Sequence, residues 1–265
     1  DGASDNDQFT LTGDITAYAK IDIDTGAGAD VVTVNGTMTA TTDMIDIDSG
    51  AGVDEITVTG TMTTDAAAID INTGSDSDRF TVKGLIKAQT NVTLDTAAGS
   101  DIVTLGELVG GIAQGGIETV AGTVKLDLGE TTDGASDNDQ FTLIGDITSN
   151  VDIDFDSGAG ADVVTVNGTM TTTTGAIDIN TGSESDQIDI LGRLEAGTSF
   201  KMHTGSGEDD LEITGAIKSL GTSIEIDTGD TRDFVTITGD LEAETDVLIK
   251  LGAGDDSLDI LNASV

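Results

Sequence analysis

Apolar and polar residues alternate with period two in short runs along this chain, and the runs return on a fixed count. In Ile21-Asp22-Ile23-Asp24 the isoleucines point one way and the aspartates the other, as in a strand with one buried face. The inward pair recurs as Ile45/Ile47, Ile69/Ile71, Val92/Leu94, Ile153/Phe155, Ile177/Ile179, Phe200/Met202, Ile224/Ile226 and Val247/Ile249. A second strand carries Val32 and Val34, matched by Phe9/Leu11, Ile56/Val58, Phe80/Val82, Val103/Leu105, Val164/Val166, Ile188/Ile190, Leu211/Ile213, Val235/Ile237 and Leu258/Ile260. A third, shorter strand has one main inward residue: Ile15, Met38, Met62, Ile86, Ile147, Met170, Leu194, Ile217 or Leu241. The pattern predicts an all-β, right-handed parallel β-helix, a β-solenoid of about eleven coils with three short strands per coil. At roughly 4.8 Å per coil the rod is on the order of 50 Å long.

Glycine turns join the strands. An aspartate closes the longer turn at Asp7, Asp30, Asp54, Asp78, Asp101, Asp139, Asp162, Asp186, Asp209, Asp233 and Asp256, each 23 or 24 residues from the last except between Asp101 and Asp139. A second corner holds Gly13, Gly36, Gly60, Gly84, Gly106, Gly145, Gly168, Gly192, Gly215 and Gly239, with Asn262 in the same position at the end. Glycine and asparagine tolerate left-handed backbone angles, so a positive φ is expected there. Above the coil sits a longer period, because residues 1–11 return letter for letter as 133–143. The chain therefore reads as two solenoid cassettes, 1–132 and 133–265, continuous in one rod. The coil count breaks between Gly106 and Asp139, where two loops are expected to bulge from the rod.

Charge narrows the partners. Ten basic residues against fifty acidic ones leave a net charge of −40, which argues against nucleic acid and anionic membrane surfaces and favours cations. No run of about 18 apolar residues suggests membrane insertion, and no basic-then-apolar leader is present. Export would use a removed leader, a C-terminal signal or a larger precursor. With no cysteine there is no disulfide framework.

The outward positions place carboxylates above one another. Asp24, Asp48, Asn72 and Asp95 stack in one row, Asp22, Asp46 and Asp70 in a second, and the turn aspartates in a third. Two carboxylates about 4.8 Å apart repel by roughly 1 kcal/mol in water and by about 3 to 4 kcal/mol at an effective dielectric of 20. Hard divalent cations bound by carboxylates and turn carbonyls would offset this, and Ca²⁺ suits stacked turns because it accepts six to eight or so oxygens in flexible geometry.

Gly26-Ala27-Gly28-Ala29-Asp30-Val31-Val32 resembles the RTX (hemolysin-type) calcium-binding nonapeptide, GGxGxDxUx, with Thr25 at its first glycine. Gly50/Gly52/Asp54, Gly158/Gly160/Asp162, Gly205/Gly207/Asp209 and Gly252/Gly254/Asp256 match in the same way. The resemblance implies Ca²⁺ held between stacked coils by turn carbonyls and aspartates. The candidate ligands are these turns, the strand-end residues Asp24, Asp48 and Asp156, and the closing residues Asp78, Asp101, Asp186 and Asp233 of the variant turns. RTX rolls place such a turn about every nine residues, whereas here there is one per 23 or 24, which makes a wider coil. More broadly the repeat is similar in style to the β-strand repeats of very large bacterial surface and biofilm-matrix proteins.

The expected function is structural: an extracellular, calcium-stabilised unit of a fibre, adhesin stalk, biofilm matrix or surface layer at the cell surface. Calcium met outside the cell would fold the exported chain. Ends without caps suggest head-to-tail self-association into filaments, or one piece of a longer repeat chain. Catalysis is not expected, since it needs a unique site breaking the repeat, and only Tyr18 and scattered basic residues could bind sugar. His203, the single histidine, reads as an outward ladder residue. An ice-binding or carbohydrate-binding surface is the alternative, built from threonines such as Thr37, Thr39, Thr61, Thr63, Thr169 and Thr171.

Overall fold

The computed structural model describes residues 5–129 and 137–261. Asn262 and part of the second expected bulge, at 130–136, lie outside the described residues. The chain forms a right-handed parallel β-helix with three sheets running its length. The first sheet has eleven strands, from Gln8–Leu11 to Ser257–Ile260; the second has ten, from Ile15–Ala17 to Leu241–Ala243; the third has ten, from Ile21–Asp24 to Val247–Lys250. That makes ten full coils and one further strand. Among the described residues no helix is long and apolar enough to cross a membrane.

Register follows the alternation. Ile21 pairs with Ile45 and Ile23 with Ile47, then with Ile69 and Ile71 in the next coil, so like residues stack on like. The inward rows meet in one core that includes Val32, Val34, Ile45, Ile47, Ile56, Phe80, Phe141 and Phe200, all at most 1% exposed. Phe141 and Phe155 touch with ring centroids 4.7 Å apart in a tilted pair. The last inward position of the second sheet is small, because the chain turns there. It holds Ala40, Ala88 and Ala196, or a hydroxyl that caps the turn: Thr64, Thr119 and Thr172 each donate to the carbonyl three residues on.

The sheets do not stop where the long repeat restarts. Ile102–Leu105 pairs with Gln140–Leu143, Gly116–Thr119 with Asp146–Ser149, and Val124–Asp127 with Ile153–Asp156. The insertion after Gly106 is an antiparallel hairpin rather than a plain loop. Glu107–Val109 pairs with Ile112–Gln114 through a two-residue turn at Gly110 and Gly111, whose φ values of 61° and 82° suit glycine. Leu108 and Ile112 at its tip are 64% and 67% exposed.

The second glycine corner corrects a sequence expectation. Among the described residues of that row only Gly106 has a positive φ. Crowding is what selects glycine: a Cβ on Gly168 would lie 1.6 Å from the Gly145 carbonyl oxygen, and one on Gly36 would lie 2.1 Å from that of Gly13. Each corner rests directly on the one below, and no side chain fits between. Gly13, with nothing within 4 Å of its Cβ position, escapes this constraint. Gly168→Ala is therefore expected to destabilise the rod by about 1–3 kcal/mol, in the range of overpacked sites, while Gly13→Ala stays close to wild type. Urea unfolding of the two variants measures the difference.

Candidate functional site

The turn between the third and first sheets brings together most of the residues singled out by sequence. It begins at a strand-end residue whose side chain folds back over the turn. The Oδ1 atoms of Asn72, Asp95, Asp127, Asp156 and Asp227 accept from the backbone N–H two residues on, at 2.8 to 3.3 Å. Asparagine and aspartate are suited to this local bond. Asp24, Asp48 and Asp156 stand in this outward row, which runs in register through Asn72, Asp95, Asp127, Asn180, His203 and Asp227.

The first turn glycines, Gly26, Gly50, Gly158, Gly205 and Gly252, have φ between 73° and 94°. A Cβ on Gly50 would also sit 1.7 Å from the Gly26 carbonyl oxygen. At the second glycine position Gly28, Gly52, Gly160 and Gly207 share a positive φ, and so do the residues that replace glycine in the variant turns, Asp76, Glu184 and Thr231. Gly254, at the same position but without a positive φ, is held to glycine by crowding, its Cβ position 2.0 Å from the Thr231 carbonyl oxygen.

The closing aspartates do not face outward, contrary to their expected place in a third exposed row. Asp30, Asp54, Asp78, Asp101, Asp139, Asp162, Asp186, Asp209 and Asp233 are buried, at most 3% exposed. Each Oδ1 accepts a hydrogen bond from the backbone N–H of the aspartate one coil earlier. The column starts with Asp7 N–H to Asp30 Oδ1 and ends with Asp233 N–H to Asp256 Oδ1, in ten rungs of 2.6 to 3.1 Å. The physical reason is that the turn tightens too sharply for strand-to-strand bonding at this residue. Its N–H would be orphaned inside, and the carboxylate of the next coil satisfies it.

Beside the column runs a second inward row that sequence reading missed. Ser49, Thr73, Thr96, Ser157, Thr181, Thr204 and Thr228 each lie five residues before a closing aspartate and are fully or almost fully buried. Their hydroxyls, except that of Thr73, donate to the main-chain carbonyl of the next residue in the row, at 3.0 to 3.5 Å. Leu128 interrupts the row between Thr96 and Ser157. The signal was the alternation itself: Ile21, Ile23 and Thr25 have one parity, and so do Asp30, Val32 and Val34.

Burial penalises the charged form of these carboxyls and pushes them upward, to about 7 for Asp78, about 6 for Asp101, about 8 for Asp186 and about 6 for Asp209. Asp54, Asp162 and Asp233 shift the same way, again first through burial. The rung N–H and the neighbouring hydroxyl pull against burial. Asp139, whose place in the hydroxyl row is taken by Leu128, lacks that second pull and rises to about 9. In the outward row Asp48 is raised less sharply, by partial burial and then by Asp24 and Asp46.

These positions do not fit the calcium arrangement that the resemblance implies. One oxygen of each closing aspartate is committed to a rung, the other faces the packed interior, and the turn carbonyls press on the glycines of the adjoining coil. Among the described residues no three His, Cys, Asp or Glu side chains converge where a metal ion could sit. Local cations meet the outward rows instead: Lys20 Nζ lies 3.1 Å from Asp22 and 2.8 Å from Asp46, and Lys125 lies 2.6 Å from Asp127. Glu225 is held below the usual carboxylate range by its bond to Lys250, with His203 and Lys201 adding to the effect.

No protein-family model, curated protein or solved structure matches the chain. The rungs themselves are open to test. Asp78→Ala removes the acceptor for the buried Asp54 N–H and is expected to cost about 1–3 kcal/mol, the penalty of an unpaired buried donor. Asp78→Asn keeps an oxygen in place and should cost clearly less. Thermal denaturation of both variants at neutral pH separates them.

Proposed function

We propose that this chain is an extracellular structural rod, a repeat unit of a fibre, adhesin stalk, biofilm matrix or surface layer. The observation that carries the reading is the unbroken passage of all three sheets from one copy of the long repeat into the next. Adding a copy adds length without adding a new kind of surface, which is what a spacer or filament needs. A non-enzymatic role agrees with this uniformity. Gln8–Leu11 and Ser257–Ile260 are the edge strands of the first sheet among the described residues, and a further coil, in the same chain or head to tail from a second copy, would pair there.

Calcium enters this reading at the outer row rather than in the turns. Asp24 and Asp48 stand one above the other on the surface, and Asp156 continues their row. Divalent ions held between such carboxylates would relieve repulsion that the few lysines leave in place. The expected outcome is that millimolar Ca²⁺ raises the melting temperature of chelated protein and lengthens the rods seen in negative-stain images. Asp24→Asn combined with Asp48→Asn should shrink the calcium-dependent gain, and Asp54→Asn should leave it unchanged. A melting curve indifferent to calcium would remove the metal from the proposal while leaving the rod.

A second reading is favoured by one specific array. Thr10, Thr33, Thr57, Thr81, Thr104, Thr142 and Thr165 stack in strict register on the outer face of the first sheet. The row is longer than the second-sheet threonines suggested from sequence, and it ends at Asp189. Regularly spaced hydroxyls and methyls could order water as an ice-binding face or receive a carbohydrate. Thermal hysteresis in a freezing assay, lost in Thr81→Lys, is the expected result on the ice-binding reading.

A further inference from the structure

The inner aspartate column holds more oxygen than it has donors. Oδ1 of each residue takes one rung, but Oδ2 of Asp30, Asp54, Asp78, Asp101, Asp162, Asp186 and Asp233 is buried with no hydrogen-bond partner. No ion pair among the described residues includes any of them. The hydroxyls of Ser49, Thr96, Ser157, Thr181 and Thr228 lie beside these oxygens but give their single proton to a main-chain carbonyl, and only that of Thr73, beside Asp78, has no carbonyl partner.

Thr204 shows what is missing. Its Oγ1 lies 2.5 Å from Asp209 Oδ2 and 3.2 Å from the Thr228 carbonyl oxygen, and both neighbours are acceptors if the carboxyl is ionised. One hydroxyl proton cannot serve two acceptors. With a proton on Asp209 Oδ2, the acid donates to Thr204 and Thr204 donates onward to Thr228, so every atom is satisfied. We propose that the column is a proton-holding seam: Asp54, Asp78, Asp101, Asp139, Asp162, Asp186, Asp209 and Asp233 hold protons more readily in the folded rod than in the unfolded chain, taking up protons on folding and releasing them on unfolding.

The surrounding charges favour the same occupant. Asp76 faces Asp54; Asp95 and Asp137 face Asp101; Asp137 faces Asp139; Asp156 and Glu184 face Asp162; Glu208 and Asp256 face Asp233; and the column members face one another. Each of these is acidic. A fully ionised column would stack like charges coil upon coil among buried groups, with no basic side chain to offset them. A bare cation would need three or more ligands converging, and the column offers one free oxygen per coil.

A carboxyl whose folded value is raised binds its proton more tightly in the rod than in the unfolded chain, so its contribution is complete below the unfolded value near 4. It is lost as pH climbs through the folded values of about 6 to about 9. Melting temperature in chelator should therefore fall as pH rises from about 4 to about 9. Outward carboxylates add to that trend, so the decisive comparison is between Asp186→Asn and an outward control, Asp70→Asn. Asp186→Asn is expected to flatten the pH dependence and to gain on wild type above pH 8 or so, while Asp70→Asn keeps the wild-type slope. Infrared spectra of the wild-type chain at neutral pH should also show a protonated-carboxyl stretch that disappears on unfolding. Absence of that band in the folded protein, or its loss on adding Ca²⁺ to folded protein at fixed pH, would overturn the proposal. An unchanged slope in a folded Asp186→Asn variant would do the same.

Discussion

A stack of coils holds together only if its corners climb as steadily as its strands. Strands do this through the parallel hydrogen-bond ladder, whose spacing is fixed by backbone geometry. Corners carry only isolated bridges, such as Ala27 to Ala51 and Ala51 to Ser75, and here two devices add to them. At one corner a glycine lets carbonyl rest against Cα with no side chain between, as Gly168 does above Gly145. At the other, a carboxylate reaches across to the amide of the coil before, as Asp54 does to Asp30. Registers of the isoleucine, phenylalanine and threonine rows all depend on these two fixed steps.

Most of the architecture was legible because alternation in a half-buried strand leaves little freedom. Ile21 and Ile23 could not both be inside unless Asp22 and Asp24 were out, and the fixed count of 23 or 24 residues dictated what stacked on what. The candidate site was read less well. The corner position of Asp30 is plain from the repeat, but the likeness of Gly26 to Asp30 to a metal-binding turn draws the carboxylate to the surface, whereas parity with Val32 and Val34 places it inside. Thr25 and its equivalents were treated as glycine substitutes when parity with Ile21 and Ile23 marks them as core positions. The second glycine corner shows a different limit: crowding by a coil that is remote in sequence leaves no local trace that distinguishes it from a demand for positive φ.

The chain thus manages its excess of acid by two separate means. Outside, carboxylates remain in water, where screening and a few lysines such as Lys20 and Lys125 soften their repulsion. Inside, neither salt nor lysine reaches, and the same residue type becomes a hydrogen-bonding bracket whose charge is opposed by burial. Leu128 marks where these arrangements meet the restart of the long repeat, since it supplies the core with methyl groups at the one row position where the adjoining carboxyl, Asp139, is raised furthest.

The hairpin from Glu107 to Gln114 shows what the scaffold can accommodate. The chain leaves the rod after Leu105, makes its antiparallel excursion, and returns at Gly116 with the second sheet still paired to Leu85–Ala88 on one side and Asp146–Ser149 on the other. Exposed hairpin tips are where added sequence is tolerated best, and a loop or tag placed at Gly110 and Gly111 would be carried clear of the shaft. A shaft that keeps its pairing around such an excursion is indifferent to what the corner displays.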